Sequence, residues 1–228
     1  MALSERDRRI VALAVPALGT LAVEPLYVLV DTAIVGRLGT TPLGGLALAT
    51  TVLTTLLWVF NFLSYGTTAR VAFLMGRGQR ERSGDVAAQG LWLAAGLGIP
   101  VAVVVGAGGR LLPAALGGHG AVLATAATYL RISAFGIPAV LVALVGQGYL
   151  RGVLDTRSPL RVVVAANLLN VVLELVLVYG AHLGIAGSAW GTVAAQWVAA
   201  VWFLVLVGAR LGAVGAVRRP VLAEIRRL

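Results

Sequence analysis

Apolar residues follow one another along this chain in stretches longer than twenty, interrupted by short clusters of arginine, glycine and proline. Between the clusters the runs predict helices over about residues 10–36, 43–75, 86–112, 127–150, 160–180 and 185–209, each longer than the roughly 20 residues that cross a 30 Å hydrocarbon layer. The connections are short and rich in turn residues, as in Gly39-Thr-Thr-Pro42, Asp155-Thr-Arg-Ser-Pro159 and Gly180-Ala-His-Leu-Gly184. They leave no room for a soluble domain. The first run follows a charged start but is too long, and carries too many acids, for a cleaved leader. It reads as a retained span.

Composition agrees with the pattern. Of 228 residues, 59% are hydrophobic and 12% charged, a balance that a soluble domain cannot hide. The expected fold is an all-α polytopic membrane protein, a six-helix transmembrane bundle over residues 1–212 with a tail over 213–228. The net charge of +9 comes from arginine alone, since the chain has no lysine. No basic stripe interleaves with aromatics, which argues against nucleic acid as a partner. The arginines instead fall in the gaps between apolar runs, and only Arg37, Arg110 and Arg131 lie on one side of the bundle while the rest lie on the other. The positive-inside rule then places both termini in the cytoplasm, with Arg131 near the outer interface, where its long stem lets it snorkel. Cysteine is absent, so disulfides and thiolate metal sites are excluded.

Against this background the buried polar residues stand out. Asp31 lies in the apolar run Glu24-Pro-Leu-Tyr-Val-Leu-Val-Asp31-Thr-Ala-Ile-Val-Gly36, and a carboxylate at membrane depth costs roughly 2.5–3.5 kcal/mol on insertion scales. The first and fifth helices run in the same direction. Asp31 precedes the end of one by five positions and Glu174 the end of the other by six, so at about 1.5 Å per residue the two carboxyls reach the same depth. Asn167 and Asn170 lie seven and four residues before Glu174, on one helical stripe with it. Glu24, Tyr27 and Asp31 share a similar stripe on the first helix. Pro16 and Pro25 interrupt the hydrogen-bond ladder there, so that helix is expected to bend. Asn61 and Gln196 fall near mid-depth, where each is a candidate to line a cavity or to bond a neighbouring backbone. No HExxH, GxSxG, paired histidine set or glycine-rich phosphate loop is present. The chain does not read as an enzyme and implies no cofactor beyond a coupling ion.

Five segments carry a resemblance. They are residues 24–39, Phe62-Leu-Ser-Tyr-Gly-Thr-Thr68, Leu150-Arg-Gly-Val-Leu-Asp-Thr-Arg-Ser-Pro159, Asn167-Leu-Leu-Asn170 and Gly184-Ile-Ala-Gly-Ser-Ala-Trp190. In this order they resemble the multidrug and toxic compound extrusion transporters, especially the branch like DNA-damage-inducible protein F. The resemblance implies two six-helix bundles related by an axis along the membrane normal, of which this chain matches the first. It implies export of amphipathic, often cationic, compounds in exchange for protons or sodium across a bacterial-type inner membrane. Asp31 maps onto the family's proton site, Pro16 onto its kink-forming proline, and Asn170 and Glu174 onto the fifth-helix partners, where aspartate is commoner than glutamate. The implied coupling ion is the proton rather than sodium, and the implied partners are the lipid bilayer and a small organic substrate. The tail 218–228 resembles the lead-in to the family's seventh helix, so the expectation is a truncated or half-length member. A second half-bundle, a homodimer of halves and a non-transporting scaffold remain open, as does a flippase for lipid-linked precursors, which the lack of a mid-depth arginine disfavours.

Overall fold

A computed structural model describes the backbone of residues 5–214 and, within it, the side chains of residues 15, 18, 19, 22 and 25–213. Helix dominates the described residues. α1 (Glu5–Gly36) runs as one helix through both prolines. Each proline removes one ladder bond, and the turns on either side continue without it. The side chains of Pro16 and Glu24 lie outside the described residues, as do positions 215–228 of the expected tail.

After a turn at Gly39, whose φ of 117° suits glycine, the second apolar run forms two helices, α2 (Thr40–Val59) and α3 (Phe62–Gly76). At the break, Phe60 and Asn61 donate their N–H groups three residues back, to Leu57 and Trp58. That tightening ends α2 without glycine or proline, which is why the pattern predicts one unbroken helix there. α4 (Arg80–Ala107) carries Pro100 without interruption, and the short α5 (Leu111–Ala115) follows. The fourth run starts at Gly120, earlier than expected, as α6 (Gly120–Ser133). A 3₁₀ turn at Ala134–Gly136 separates it from α7 (Ile137–Gly152), which has Pro138 at its start. Arg131 is exposed in the last turn of α6, with its stem against Gly109 beyond the end of α4. α8 (Arg157–Glu174) continues as a π-helical segment, Leu175–Gly180, and α9 (Gly184–Val214) completes the bundle.

Five segments of the described residues, Thr40–Gly76, Arg80–Ala107, Gly120–Gly152, Arg157–Gly180 and Gly184–Ala213, are long and apolar enough to cross a bilayer. Pro25–Gly36 is a shorter apolar helix. The sequence reading expects six spans; much of the first falls where side chains are not described.

The paired breaks set the packing. α2 leans on α6 and α3 on α7, so the two interrupted helices bend past each other in step. Where α1 terminates, α1, α2, α6, α9 and α8 follow one another in a ring, around a core that includes Val35, Leu46, Leu130 and Leu141. A second core, with Val71, Leu150, Val162 and Phe203, fills the opposite end. Small residues permit the close approaches that helices in lipid rely on. A Cβ at Gly148 would sit 2.6 Å from the Ser64 carbonyl oxygen, and one at Gly152 would sit 2.7 Å from Val71. Thr68 then donates across the same seam to the Gly148 carbonyl at 3.1 Å.

The α7–α8 connection is tied to α9 by an ion pair between Asp155 and Arg210. Asp155 also accepts from the Ser158 N–H at 3.0 Å and the Ser158 hydroxyl at 2.7 Å. Partial burial pushes the Asp155 carboxyl up, but the Ser158 bonds and Arg210 outweigh it and hold the group below the ordinary aspartate range.

Two outcomes follow for stability. Gly148→Ala is expected to cost about 1–3 kcal/mol, the range for overpacking a tight seam, read as a lower unfolding midpoint in detergent. Because the Asp155 carboxyl is held low, its contribution is present at neutral pH and is lost as pH falls below about 4. Thermal melts across that window are expected to show an acid-labile component that Arg210→Gln diminishes.

Candidate functional site

Three helices bring buried polar groups together where α1 ends. Asp31 on α1 is 4% exposed and Glu174, the last residue of α8 before the π segment, is 0% exposed. The depth matching read from the sequence thus corresponds to a common site, in which the two carboxyl groups lie within hydrogen-bonding reach of each other and a third residue bonds to both. Ser188 on α9 stands between them, its Oγ 2.8 Å from Glu174 Oε1 and 3.1 Å from Asp31 Oδ1.

Local sequence puts Ser188 there. Gly187 and Gly191 flank it at helical spacing on α9 and let that helix press onto the backbone of α8. A Cβ at Gly187 would lie 2.8 Å from the Leu177 carbonyl, and one at Gly191 would lie 3.3 Å from the Glu174 amide nitrogen. Larger residues would push Ser188 out of reach of Glu174.

One turn further along α9, Thr192 gathers a second set of bonds. Its hydroxyl donates to the Ser188 carbonyl at 3.0 Å, accepts from Asn170 Nδ2 at 3.1 Å, and lies 3.3 Å from the Tyr27 hydroxyl. With its one hydrogen already donated, Thr192 is the acceptor from Tyr27. The buried Tyr129 phenol, on α6, stands beside Thr192, Ser188 and Asp31. Asn170 Oδ1 and Glu174 Oε2 are buried with no hydrogen-bond partner among the described residues.

This donor count constrains the chemistry. Ser188 has a single hydroxyl hydrogen to offer two carboxyl oxygens. Both short contacts are satisfied when one acid carries a proton and donates it to Oγ while the serine donates to the other. Ser188 alone can donate to only one of two ionised carboxylates.

Of the residues singled out by sequence, Asp31, Tyr27, Asn170 and Glu174 converge. Asn167 is half-buried, one turn before Asn170. Asn61 stands at the α2–α3 break, half-buried. Gln196 lies two helical turns beyond Ser188 and faces the 3₁₀ turn, where a Cβ at Gly136 would be 1.8 Å from its Oε1. That oxygen also lacks a partner among the described residues. Pro25 is exposed on α1. Ser188, Thr192, Tyr129 and Tyr179 were not singled out. The available signal for the first two was their i, i+4 spacing beside two glycines. Among the described residues no three His, Cys, Asp or Glu side chains group to hold a metal ion.

Comparison with known proteins places this geometry. The MatE family model matches residues 16–176. DNA damage-inducible protein F of Escherichia coli (strain K12) is 34% identical over 206 residues, covering 90% of this chain and 45% of that protein. A solved structure described as MATE in the bent conformation is 27% identical and superposes with a TM-score of 0.80, over 86% of this chain and 44% of the other. A second, described as the outward-facing conformation of a multidrug resistance MATE family transporter, shares the fold with a TM-score of 0.86 at 24% identity, over 96% and 50% of the two chains. This chain spans about half the length of these relatives or less. With the family model covering most of its length and the same helix arrangement in solved members, the chain belongs to the MatE family.

Proposed function

We propose that this chain forms one six-helix half of a secondary transporter that exports amphipathic, cationic organic compounds in exchange for protons, with Asp31 and Glu174 as the coupling pair. The observation that carries this reading is the single Ser188 hydroxyl held between two buried acids, an arrangement completed by one proton. Gaining a second proton would neutralise both groups, while losing the shared one would leave two charges facing each other, so the site has protonation states of very different energy. That difference is what an ion-coupled transporter uses to favour one conformation over another.

The remaining groups have defined parts. Asn170 and Thr192 fix the wall beside Glu174, and Tyr27 ties α1 to α9 through Thr192. Asp31 belongs to α1, so a change at the pair acts directly on the position of that helix. The residues of α1 above and below Asp31 then move relative to α8 and α9, opening or closing the space between them to substrate.

The arginine distribution supports a multi-pass arrangement in the cytoplasmic membrane with both termini inside. The relatives, about twice as long in the case of DNA damage-inducible protein F, favour a second six-helix bundle as the partner, either another polypeptide or a second copy of this chain. Such a partner would supply the other wall of the substrate path.

Reconstitution into vesicles under imposed gradients tests the reading. An inward proton gradient is expected to drive export of a cationic dye by the wild-type chain, alone or with a second bundle co-reconstituted, and Asp31→Asn is expected to reduce that flux by about tenfold or more. Export that follows a sodium gradient alone, or that survives in Asp31→Asn, contradicts proton coupling at this residue. For the bridge itself, Ser188→Ala removes the donor between two buried acids and is expected to destabilise the chain by about 1–3 kcal/mol, whereas Ser188→Thr keeps the hydroxyl and most of the stability. Detergent melts of the two variants measure the difference.

A further inference from the structure

Beyond the acids, an unusual backbone segment lies between the site and the end of α1. From Leu175 to Gly180 the helix of α8 widens into π geometry, in which N–H groups bond five residues back instead of four, as Ala181 does to the Val176 carbonyl at 2.8 Å. Tyr179 lies in this segment and donates its hydroxyl to the Ile34 carbonyl at 2.7 Å.

The Ile34 carbonyl is free to accept because α1 is ending. In a continuing helix it would bond to the Leu38 N–H, but that N–H turns to Val35 at 3.0 Å. Tyr179 thereby caps the C-terminus of α1 from a neighbouring helix. Ile34 is one turn beyond Asp31, on the same element.

The widened turn makes this possible. Glu174 and Tyr179 are five residues apart, which in an ordinary α-helix places them about 140° apart around the axis, on different faces. With i→i+5 bonds, five residues close little more than one turn, and both side chains face the same way. Glu174 then meets Ser188 and, through it, Asp31, while Tyr179 reaches the end of α1. α9 backs the segment, with Gly187 against the Leu177 backbone.

We infer that Tyr179 is a positioning residue, a tether on the outer end of α1 that holds Asp31 in the Ser188–Glu174 cluster, and that the π segment exists to align it. The consequence for transport rests on the coupling reading above; the tether itself does not. Release of the Tyr179–Ile34 bond is the step that frees α1 to leave the cluster.

The test uses Tyr179→Phe, which keeps the ring and removes only the hydroxyl, and p-aminophenylalanine at 179, which restores a donor at the same place. Amide hydrogen exchange over residues 33–38 is expected to accelerate about two- to tenfold in Tyr179→Phe, the factor for one lost hydrogen bond, to return towards wild type with p-aminophenylalanine, and to stay unchanged over residues 200–207 of α9. Modification of Asp31 by a membrane-soluble carbodiimide is expected to rise by a similar factor in Tyr179→Phe and to fall back in the donor-restoring variant. Unchanged exchange at the end of α1 overturns the inference, and so does acceleration that the restored donor fails to reverse. The exchange measurement needs no ion gradient, so a failure of proton coupling at Asp31 would leave its result standing.

Discussion

One hydroxyl hydrogen between two buried carboxyl groups is the constraint on which this end of the bundle depends. Asp31 and Glu174 are withdrawn from water among apolar helices, where an unpaired charge is costly and an unsatisfied polar atom adds to that cost. Ser188 reaches both, so the three helices that carry these residues have to approach within hydrogen-bond distance at one level. Gly187 and Gly191 are small because α9 has to press onto α8 there. Thr192, Asn170 and Tyr27 form the adjoining layer. The same seam that packs the helices also fixes the chemistry of the pair.

α9 is the reference element. It carries Ser188 and Thr192 towards the site, and its far end is held through Arg210 to Asp155 in the α7–α8 connection. α8 is thus located against α9 at both ends, by the glycine contacts near Glu174 and by the ion pair near its start. The described part of α1 meets this framework through Gly19 against Leu160 of α8, through Asp31, Tyr27 and the Tyr179 cap, and through the apolar contacts near Val35.

Much of the fold was legible because span length is a strong signal in a membrane protein, and the acids stood out because a carboxylate in an apolar run is rare. The depth comparison brought Asp31 and Glu174 to one level from helix rise alone. What the pattern missed has physical reasons. The break after Val59 is made by tightened backbone bonds at Phe60 and Asn61, with no glycine or proline to mark it. Ser188 and Thr192 are small hydroxyl residues of the kind found throughout membrane helices, and only their position opposite two acids distinguishes them. The π segment left no trace in hydrophobicity, since Leu-Val-Leu-Val suits an α-helix equally well. Gln196, two turns along α9 from Ser188, reaches the 3₁₀ turn instead of the acid pair.

The shared proton is the central claim, and infrared spectroscopy of the chain in bilayers addresses it most directly. Near neutral pH the wild-type protein should show the C=O stretch of one protonated, hydrogen-bonded carboxyl, shifted on exchange into D2O and absent when Asp31→Asn and Glu174→Gln are combined. A wild-type spectrum with no protonated carboxyl, or a band that persists unchanged in the double variant, would contradict a proton held between Asp31 and Glu174.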